Sequence, residues 1–190
     1  MTSHPPTQRG NRLVIGVTGR IGAGKTSVAR YLNSRHGFQY LRYSQVISEW
    51  MASDPESKDQ LQELGWKVMA GGLQGELNRR LISQIKPVVH VAVDGLRHPL
   101  DFESLSNSFS SSFHLLYIEC PQAARWGHLM GRSKYASLEA LQTADSHLVE
   151  QQIESLRKSA AFVIPNEGAL QALYAVVDKT LDSLRKEGRT

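Results

Sequence analysis

The chain has 190 residues, of which 41% are hydrophobic, and a formal net charge of +4, which predicts one soluble domain with its own core. No apolar run approaches the length of a membrane-spanning helix, and the basic residues are scattered rather than clustered, so we expect neither a membrane nor a nucleic-acid partner. The single cysteine, Cys120, excludes an internal disulfide and fits a cytoplasmic protein.

The beginning of the chain reads as a leader. Residues 1–11 are polar, contain Pro5-Pro6 and lack the apolar core of a signal peptide. We expect this segment to be disordered and to precede one domain over residues 12–190, which no repeat or linker divides.

The first predicted strand, 13–17, is apolar and β-branched, as is typical of a buried parallel strand. The residues after it, 19–26, fit G-x-x-x-x-G-K-[ST], the phosphate-binding P-loop, and helical spacing follows as far as Arg35. Lys25, as a solvent-facing side chain, would reach the terminal phosphates of a nucleotide, and the Thr26 hydroxyl would hold Mg²⁺.

The glycines of this loop let successive N–H groups approach phosphate oxygens closely. The motif therefore predicts a bound nucleotide polyphosphate and Mg²⁺ as cofactor. Nine consecutive residues are expected to bind this nucleotide: Gly19, Arg20, Ile21, Gly22, Ala23, Gly24, Lys25, Thr26 and Ser27.

A second short strand is predicted over 38–43, with helices over 59–69 and 73–85 farther along the chain. Between the strand and these helices, Ser44 is a plausible N-cap of another helix. Arg42 and Ser44 lie at the end of the strand, where they could bind the acceptor, although Ser44 could equally be only a cap.

The third predicted strand, 88–94, is apolar and ends in a carboxylate followed by glycine. Asp94 would hold the metal or orient the acceptor, because a P-loop nucleotide needs a second carboxylate near its Mg²⁺. The alternative is a turn-forming aspartate. Arg97, three residues later, could grip a phosphate with both arms of its guanidinium, or be a surface charge.

A fourth strand is predicted over 113–119, followed by a helix and then by a mobile segment, 127–137, rich in glycine, serine and positive charge. As a closing lid it would bring Arg132 and Lys134, with Arg125 beside it, against the transferring phosphoryl group. A solvated run of charges is the alternative.

The rest of the chain predicts a helical stretch to about residue 159, a strand over 161–164 and a closing helix from Leu170. Strands that alternate with helices indicate an α/β fold with a parallel sheet. Ligands of such sheets bind beyond the carboxyl ends of the strands, which would bring the candidate residues to one edge.

Other residue types support no further site. We expect no structural zinc, because the histidines have no metal-ligand spacing and Cys120 has no partner motif. Arg79 and Arg80 lie in a helix near the acceptor, where one of them could touch a phosphate, but a surface role is favoured for both. Three tryptophans are expected to pack in the core or an interface rather than stack on a base: Trp50, Trp66 and Trp126.

Three further segments join the P-loop in a familiar order: Tyr43-Ser44-Gln45-Val46-Ile47, Val93-Asp94-Gly95-Leu96-Arg97-His98-Pro99 and Ile164-Pro165-Asn166-Glu167-Gly168. Over about residues 12–186 the chain resembles the P-loop nucleoside monophosphate kinase superfamily, in particular its dephospho-CoA-kinase-like and deoxynucleotide-kinase-like members. The P-loop is the specific part of this resemblance.

The resemblance implies a three-layer α/β sandwich with a five-stranded parallel sheet in the order 2-3-1-4-5. It also implies a helical acceptor-binding region over about 44–85 and a short lid over about 127–137. The loop after the last strand would contact adenine through Pro165, Asn166 and Gly168, and the acceptor would be a small nucleotide bound by a monomer or homodimer.

One position departs from the pattern, because Gln45 stands where related sequences often carry an aspartate. In dephospho-CoA kinases such an aspartate is the expected base for a ribose hydroxyl, and glutamine cannot accept that proton. A monophosphate needs no base, since its phosphate is already largely ionised at neutral pH.

Three functions therefore stay open. The favoured one is phosphorylation of a nucleoside or deoxynucleoside monophosphate by ATP. Its catalytic groups would be Lys25, Asp94, Arg97, Arg125 and Arg132. The second is phosphorylation of a hydroxyl group, as in dephospho-CoA, and the third is a nucleotide-binding regulator with little turnover.

Overall fold

The computed structural model describes residues 12–51, 58–130 and 137–187. The expected leader, residues 1–11, lies outside this part of the chain. Within the described ranges the strands are β1 (Val14–Thr18), β2 (Gln39–Arg42), β3 (Val91–Asp94), β4 (Phe113–Glu119) and β5 (Phe162–Pro165).

The helices in the same ranges lie between and after these strands. They are α1 (Lys25–His36), α2 (Tyr43–Trp50), α3 (Lys58–Ala70), α4 (Gln74–Ser83), α5 (Pro99–Phe109), α6 (Gln122–Leu129), α7 (Leu138–Ser146), α8 (Leu148–Arg157) and α9 (Leu170–Glu187). A short 3₁₀ turn, Ser110–Ser112, leads into β4.

The strands form one sheet in the order β2-β3-β1-β4-β5, and all four neighbouring pairs are parallel. The predicted fold class and strand order are confirmed. In the register of this sheet, Asp94 pairs with Val17 of β1 and with Arg42 of β2. The carboxyl ends of the three strands therefore meet at one edge.

Helices cover both faces of the sheet, as the period-two alternation of a strand requires. Ile15 and Val17 of β1 belong to a buried core that includes Leu32 of α1 and Leu181 of α9. Val14 belongs to a second core on the opposite face, with helix residues that include Val46, Leu77 and Leu105. The result is the expected three-layer arrangement.

The third strand is shorter than its apolar run. The prediction that this strand starts at residue 88 was wrong. β3 begins at Val91, where pairing with Val14 starts, and Val88 is 91% exposed. The preceding backbone is held by a side chain instead, since Arg12 Nε donates to the carbonyl of Val89 at 3.1 Å. An apolar run thus marked the strand but not its start.

Two predicted features of the helices were also wrong. Ser44 does not cap α2, because β2 passes directly into the helix and Arg42 occupies the cap position. The helical stretch to residue 159 is divided at His147, whose ψ of 138° is extended. Gly127 lies inside α6 and residues 131–136 fall outside the described part of the chain, so the lid over about 127–137 stays a prediction.

Candidate functional site

The loop between β1 and α1 has the backbone that the P-loop motif predicts. Gly19, Gly22 and Gly24 have φ values of 138°, 79° and 102°, which side chains rarely tolerate. A Cβ atom on Gly19 would lie 2.4 Å from the carbonyl oxygen of Ile118. Gly24 is the N-cap of α1 and makes no side-chain cap, so the N–H groups of the first turn can serve an anion.

The side chain of Lys25 bonds back to the start of this loop. Its Nζ donates to the carbonyls of Gly19 at 2.6 Å and Arg20 at 2.8 Å, so the ammonium group spans the loop from its end to its start. The expectation of a solvent-facing lysine was wrong, because Lys25 is only 9% exposed. The positive charge lies against the backbone that the motif assigns to phosphate binding.

Asp94 lies beside the start of α1, at the end of β3, and is 4% exposed. Its Oδ2 accepts hydrogen bonds from Thr26 Oγ1 at 2.8 Å and from the Tyr40 hydroxyl at 2.9 Å. Arg42 Nε is 3.8 Å from the same oxygen. Burial first, and then the Asp94 charge, raise the pKa of Tyr40, which keeps its proton on the donor side of this bond.

The residues of this cluster fit Mg²⁺, although none of the described segments brings together three or more His, Cys, Asp or Glu side chains able to hold a metal ion. Protein sites for Mg²⁺ commonly supply one or two oxygen ligands and leave the rest to phosphates and water. The hydroxyl of Thr26 and the carboxylate of Asp94 are such a pair, and their binding of Mg²⁺ stays a prediction.

Tyr40 was missed by the sequence analysis. It stands two residues before Arg42 on β2, so both side chains project from the same face of the strand. That spacing was the available signal, and it explains why both reach Asp94 on the neighbouring strand.

The turn after β3 presents Arg97 beside the P-loop. Gly95 N donates to the carbonyl of Val17 at 3.1 Å, and Thr18 Oγ1 donates to that of Leu96 at 2.7 Å, so the turn is fixed to the end of β1. The Arg97 guanidinium forms an ion pair with Glu150 of α8.

Glu150 was also missed, because its partners lie far away in sequence. Its side chain is fully buried and its Oε2 accepts a hydrogen bond from the backbone N–H of Ile21 at 3.1 Å. One carboxylate therefore contacts both the P-loop and the predicted acceptor arginine.

Arg125 does not extend from a mobile segment. It lies on α6, is 3% exposed and forms two hydrogen bonds with Asp145, at 2.9 and 2.6 Å. Its Nη1 also donates to the carbonyl of Ile21 at 2.9 Å. This arrangement supports the loop from outside, and the predicted contact of Arg125 with phosphate stays a prediction.

The loop after β5 lies against the P-loop. Asn166 is buried and its Nδ2 donates to the carbonyl of Ala23 at 2.8 Å. A Cβ on Gly24 would lie 2.6 Å from that Nδ2. The adenine contacts assigned to Pro165, Asn166 and Gly168 stay predictions.

The remaining candidates differ in their surroundings. Ser44 is partly buried in α2, whereas Gln45 is exposed and donates to Glu49 at 2.8 Å. Arg79 and Arg80 both form ion pairs with Glu76.

Two tryptophans pack as predicted. Trp50 packs against the core around α2, and Trp126 packs against Leu129 and Leu141. Arg132 and Lys134 lie outside the described residues, so their contacts with phosphate stay predictions.

In the described ranges, no helix is both long and apolar enough to cross a membrane.

No protein-family model matches the chain. A UPF0200 protein of Pyrobaculum aerophilum is 25% identical over 181 residues, which cover 90% of this chain and 98% of the relative. A dephospho-CoA kinase of Thermus thermophilus is 26% identical over 196 aligned positions, with coverage of 90% and 92%.

Solved structures share the fold at lower identity. The structure of shikimate kinase from Acinetobacter baumannii in complex with shikimate has a TM-score of 0.62 at 17% identity, and the alignment covers 94% of this chain and 96% of that one. The relatives and neighbours with named activities are P-loop kinases, consistent with a superfamily like that of the nucleoside monophosphate kinases, and they support a kinase.

Proposed function

We propose that this protein is a kinase that transfers a phosphoryl group from ATP to a nucleoside or deoxynucleoside monophosphate, with Mg²⁺ as cofactor. The observation that supports this proposal most directly is the 2.8 Å hydrogen bond between Thr26 and Asp94, which joins the P-loop to the end of β3. This bond brings a hydroxyl and a carboxylate together where the motif requires metal ligands.

Different groups of the chain would bind the phosphates and the metal. Backbone N–H groups of the P-loop and the Lys25 ammonium would bind the phosphates of ATP, while Thr26 and Asp94 would hold the metal. Mg²⁺, when bound, neutralises charge on the phosphates. The proposed catalytic arginines, Arg97, Arg125 and Arg132, would act on the transferring group or on the loop that holds it. Catalysis of this kind consists mainly of positioning and charge stabilisation.

Two arginines favour a phosphate acceptor. Arg42 lies 3.8 Å from Asp94 at the end of β2, and Arg97 follows β3 three residues after that carboxylate. Their side chains are 38% and 34% exposed, so both are accessible from solvent. Guanidinium groups pair with phosphate oxygens through two N–H groups at once, which suits a monophosphate acceptor.

A hydroxyl acceptor is the second candidate. Asp94 is a buried carboxylate at the site and could take a proton from a hydroxyl, and the named relatives include a dephospho-CoA kinase and a shikimate kinase. Gln45 lies on the exposed side of α2 and bonds to Glu49, so it offers no base in its place.

A coupled assay of ADP release separates these candidates. The full chain is incubated with Mg²⁺-ATP and one acceptor at a time: the common ribo- and deoxyribonucleoside monophosphates, dephospho-CoA and shikimate. We expect turnover with at least one monophosphate. Turnover with dephospho-CoA or shikimate alone would overturn the phosphate acceptor in favour of a hydroxyl. Binding of ATP in calorimetry without turnover on any acceptor would favour a regulator.

A further inference from the structure

The backbone N–H and carbonyl of Ile21, at the tip of the P-loop, are both hydrogen-bonded to charged side chains. Its N–H donates to Glu150 Oε2 at 3.1 Å, and its carbonyl accepts from Arg125 Nη1 at 2.9 Å. Arg125 is itself paired with Asp145. The conformation of the loop tip is therefore set by side chains of α6, α7 and α8.

Glu150 also contacts Arg97, the residue assigned to the acceptor. Its Oε1 pairs with Arg97 Nη1, while Oε2 accepts from Ile21. The carboxylate thus bridges the loop assigned to ATP and the arginine assigned to the acceptor. A buried carboxylate is tolerated only when it is paired in this way, which makes the two contacts mutually dependent.

Helix α8, which carries Glu150, is packed against the interior of the protein. Ile153 and Leu156 of α8 are 0% and 2% exposed, and both pack in the interior. One turn beyond Glu150, Glu154 makes a longer, solvent-exposed contact with Arg20 at 3.5 Å. Glu150 also lies in the first turn of α8, where the helix dipole stabilises a carboxylate.

We propose that Glu150 is a positioning residue that fixes Arg97 relative to the tip of the P-loop, an inference that rests on the proposed function. By accepting from Nη1, on one edge of the planar guanidinium, the carboxylate orients the remaining N–H groups for an acceptor phosphate. Donor and acceptor phosphates are thereby held in one geometry. A displacement of about 1 Å between reacting groups can cost about 100-fold in rate.

Kinetics of four proteins test this bridge: Glu150→Gln, Arg97→Gln, the double variant and the control Glu154→Gln. Glu154 lies on the same helix and beside the P-loop but pairs with Arg20 instead. The acceptor is the one with the highest turnover in the panel described above. We expect Glu150→Gln to lower kcat/KM for the acceptor by about 100-fold, with little change in the Kd of Mg²⁺-AMP-PNP.

The double variant should be no slower than Arg97→Gln alone, since both changes break one interaction. Independent, multiplying losses would overturn the proposal. So would tighter binding of Mg²⁺-AMP-PNP by Glu150→Gln with unchanged transfer, which would make the carboxylate a competitor of phosphate. A fall in melting temperature alone, with normal kinetics of the folded protein, would leave Glu150 with a structural role and contradict the proposal.

A second readout needs no acceptor. In ¹⁵N-labelled protein, Glu150→Gln should shift both the Ile21 amide and the Arg97 Nε–H resonance, whereas Glu154→Gln should shift neither strongly. A change at Ile21 alone would contradict the bridge. If the wild-type protein phosphorylates nothing in the panel, the proposed function fails, and these resonances still decide whether Glu150 joins the two groups.

Discussion

At the scale of single residues, Asp94 is the point where three strands and the P-loop meet. Its Oδ2 accepts from Thr26 and Tyr40 and lies 3.8 Å from Arg42 Nε. The proposed Mg²⁺ site would need a negative charge there, whereas an amide oxygen could accept the same hydrogen bonds. Charge and hydrogen bonding can therefore be separated by one substitution.

We predict that Asp94→Asn lowers turnover by about 100-fold or more, because the amide keeps the shape but loses the charge that a metal requires. Binding of ATP without metal should change less. A Mg²⁺ titration of turnover measures the effect. The matched control is Asp178→Asn, which alters a carboxylate bonded to Tyr31 and His36 on α1. Normal activity of Asp94→Asn at every Mg²⁺ concentration would return Asp94 to a turn-forming role.

For Lys25 we predict that Lys25→Met abolishes measurable turnover and weakens ATP binding. Methionine retains an apolar stem at a position only 9% exposed, but removes the ammonium group that spans the loop. Kinetics and calorimetry on the purified variant measure the two effects, and circular dichroism checks the fold. A folded variant with wild-type turnover would contradict the assignment of residues 19–26 as a phosphate-binding P-loop.

The sequence predicted the residues of this site that belong to a motif and missed those recruited by tertiary contacts. Lys25 and Thr26 have a fixed spacing in the P-loop, and Asp94 ends an apolar strand. Glu150 is 129 positions away from Ile21, and no periodicity connects them. Arg125 was identified as functional, but its burial against Asp145 depends on how α6 and α7 pack.

At the scale of elements, the P-loop depends on a glycine at its contact with the loop after β5. We predict that Gly24→Ala destabilises the protein by about 1–3 kcal/mol and weakens ATP binding, since its φ of 102° is strained for alanine and the Cβ would meet Asn166. Chemical denaturation and calorimetry measure both effects.

The control for that variant is Gly127→Ala. Gly127 lies in α6 and a Cβ there would meet nothing within 4 Å. Alanine should raise stability by up to about 1 kcal/mol through helix propensity and leave ATP binding intact. Equal effects of the two substitutions would show that backbone strain at Gly24 is not what matters.

The junction before β3 contains a histidine whose protonation would break a hydrogen bond. His90 Nδ1 accepts from the N–H of Leu13 at 3.0 Å, which requires an unprotonated nitrogen, and burial lowers the pKa of His90 below its ordinary 6.5. Because the folded pKa is depressed, this stabilisation is present above pH 6.5 and is lost as the pH falls through the folded pKa.

We therefore predict that the melting temperature falls less between about pH 8 and about pH 5 in His90→Asn than in the wild type, since asparagine can accept the bond without titrating. Burial also lowers the pKa of His114, so part of the decline should remain. Thermal unfolding followed by circular dichroism measures this difference. Parallel declines in the two proteins would contradict the assignment to His90.

Element types were predictable from the sequence where periodicity and composition agreed, and β4 has the bounds predicted for it, Phe113–Glu119. Boundaries set by partners were not. β3 starts where β1 offers a pairing strand, and no glycine or proline marks the break at His147.

At the scale of the whole molecule, the parallel order β2-β3-β1-β4-β5 brings the proposed ATP and acceptor groups to one edge. The P-loop follows β1, Asp94 and Arg97 follow β3, and Asn166 follows β5. Alternation of strands and helices predicts this edge in outline. The bridge from α8 to the P-loop could not be predicted, because it depends on how the segment after β4 folds back over the loop.

The most direct test of the account is transfer of the γ-phosphate of labelled ATP, followed by mass spectrometry of the acceptor. We predict that the full chain with Mg²⁺ adds one labelled phosphate to a nucleoside or deoxynucleoside monophosphate, and that Asp94→Asn loses about 99% or more of this product. Labelled ATP that binds but gives no labelled product with any monophosphate, dephospho-CoA or shikimate would contradict it.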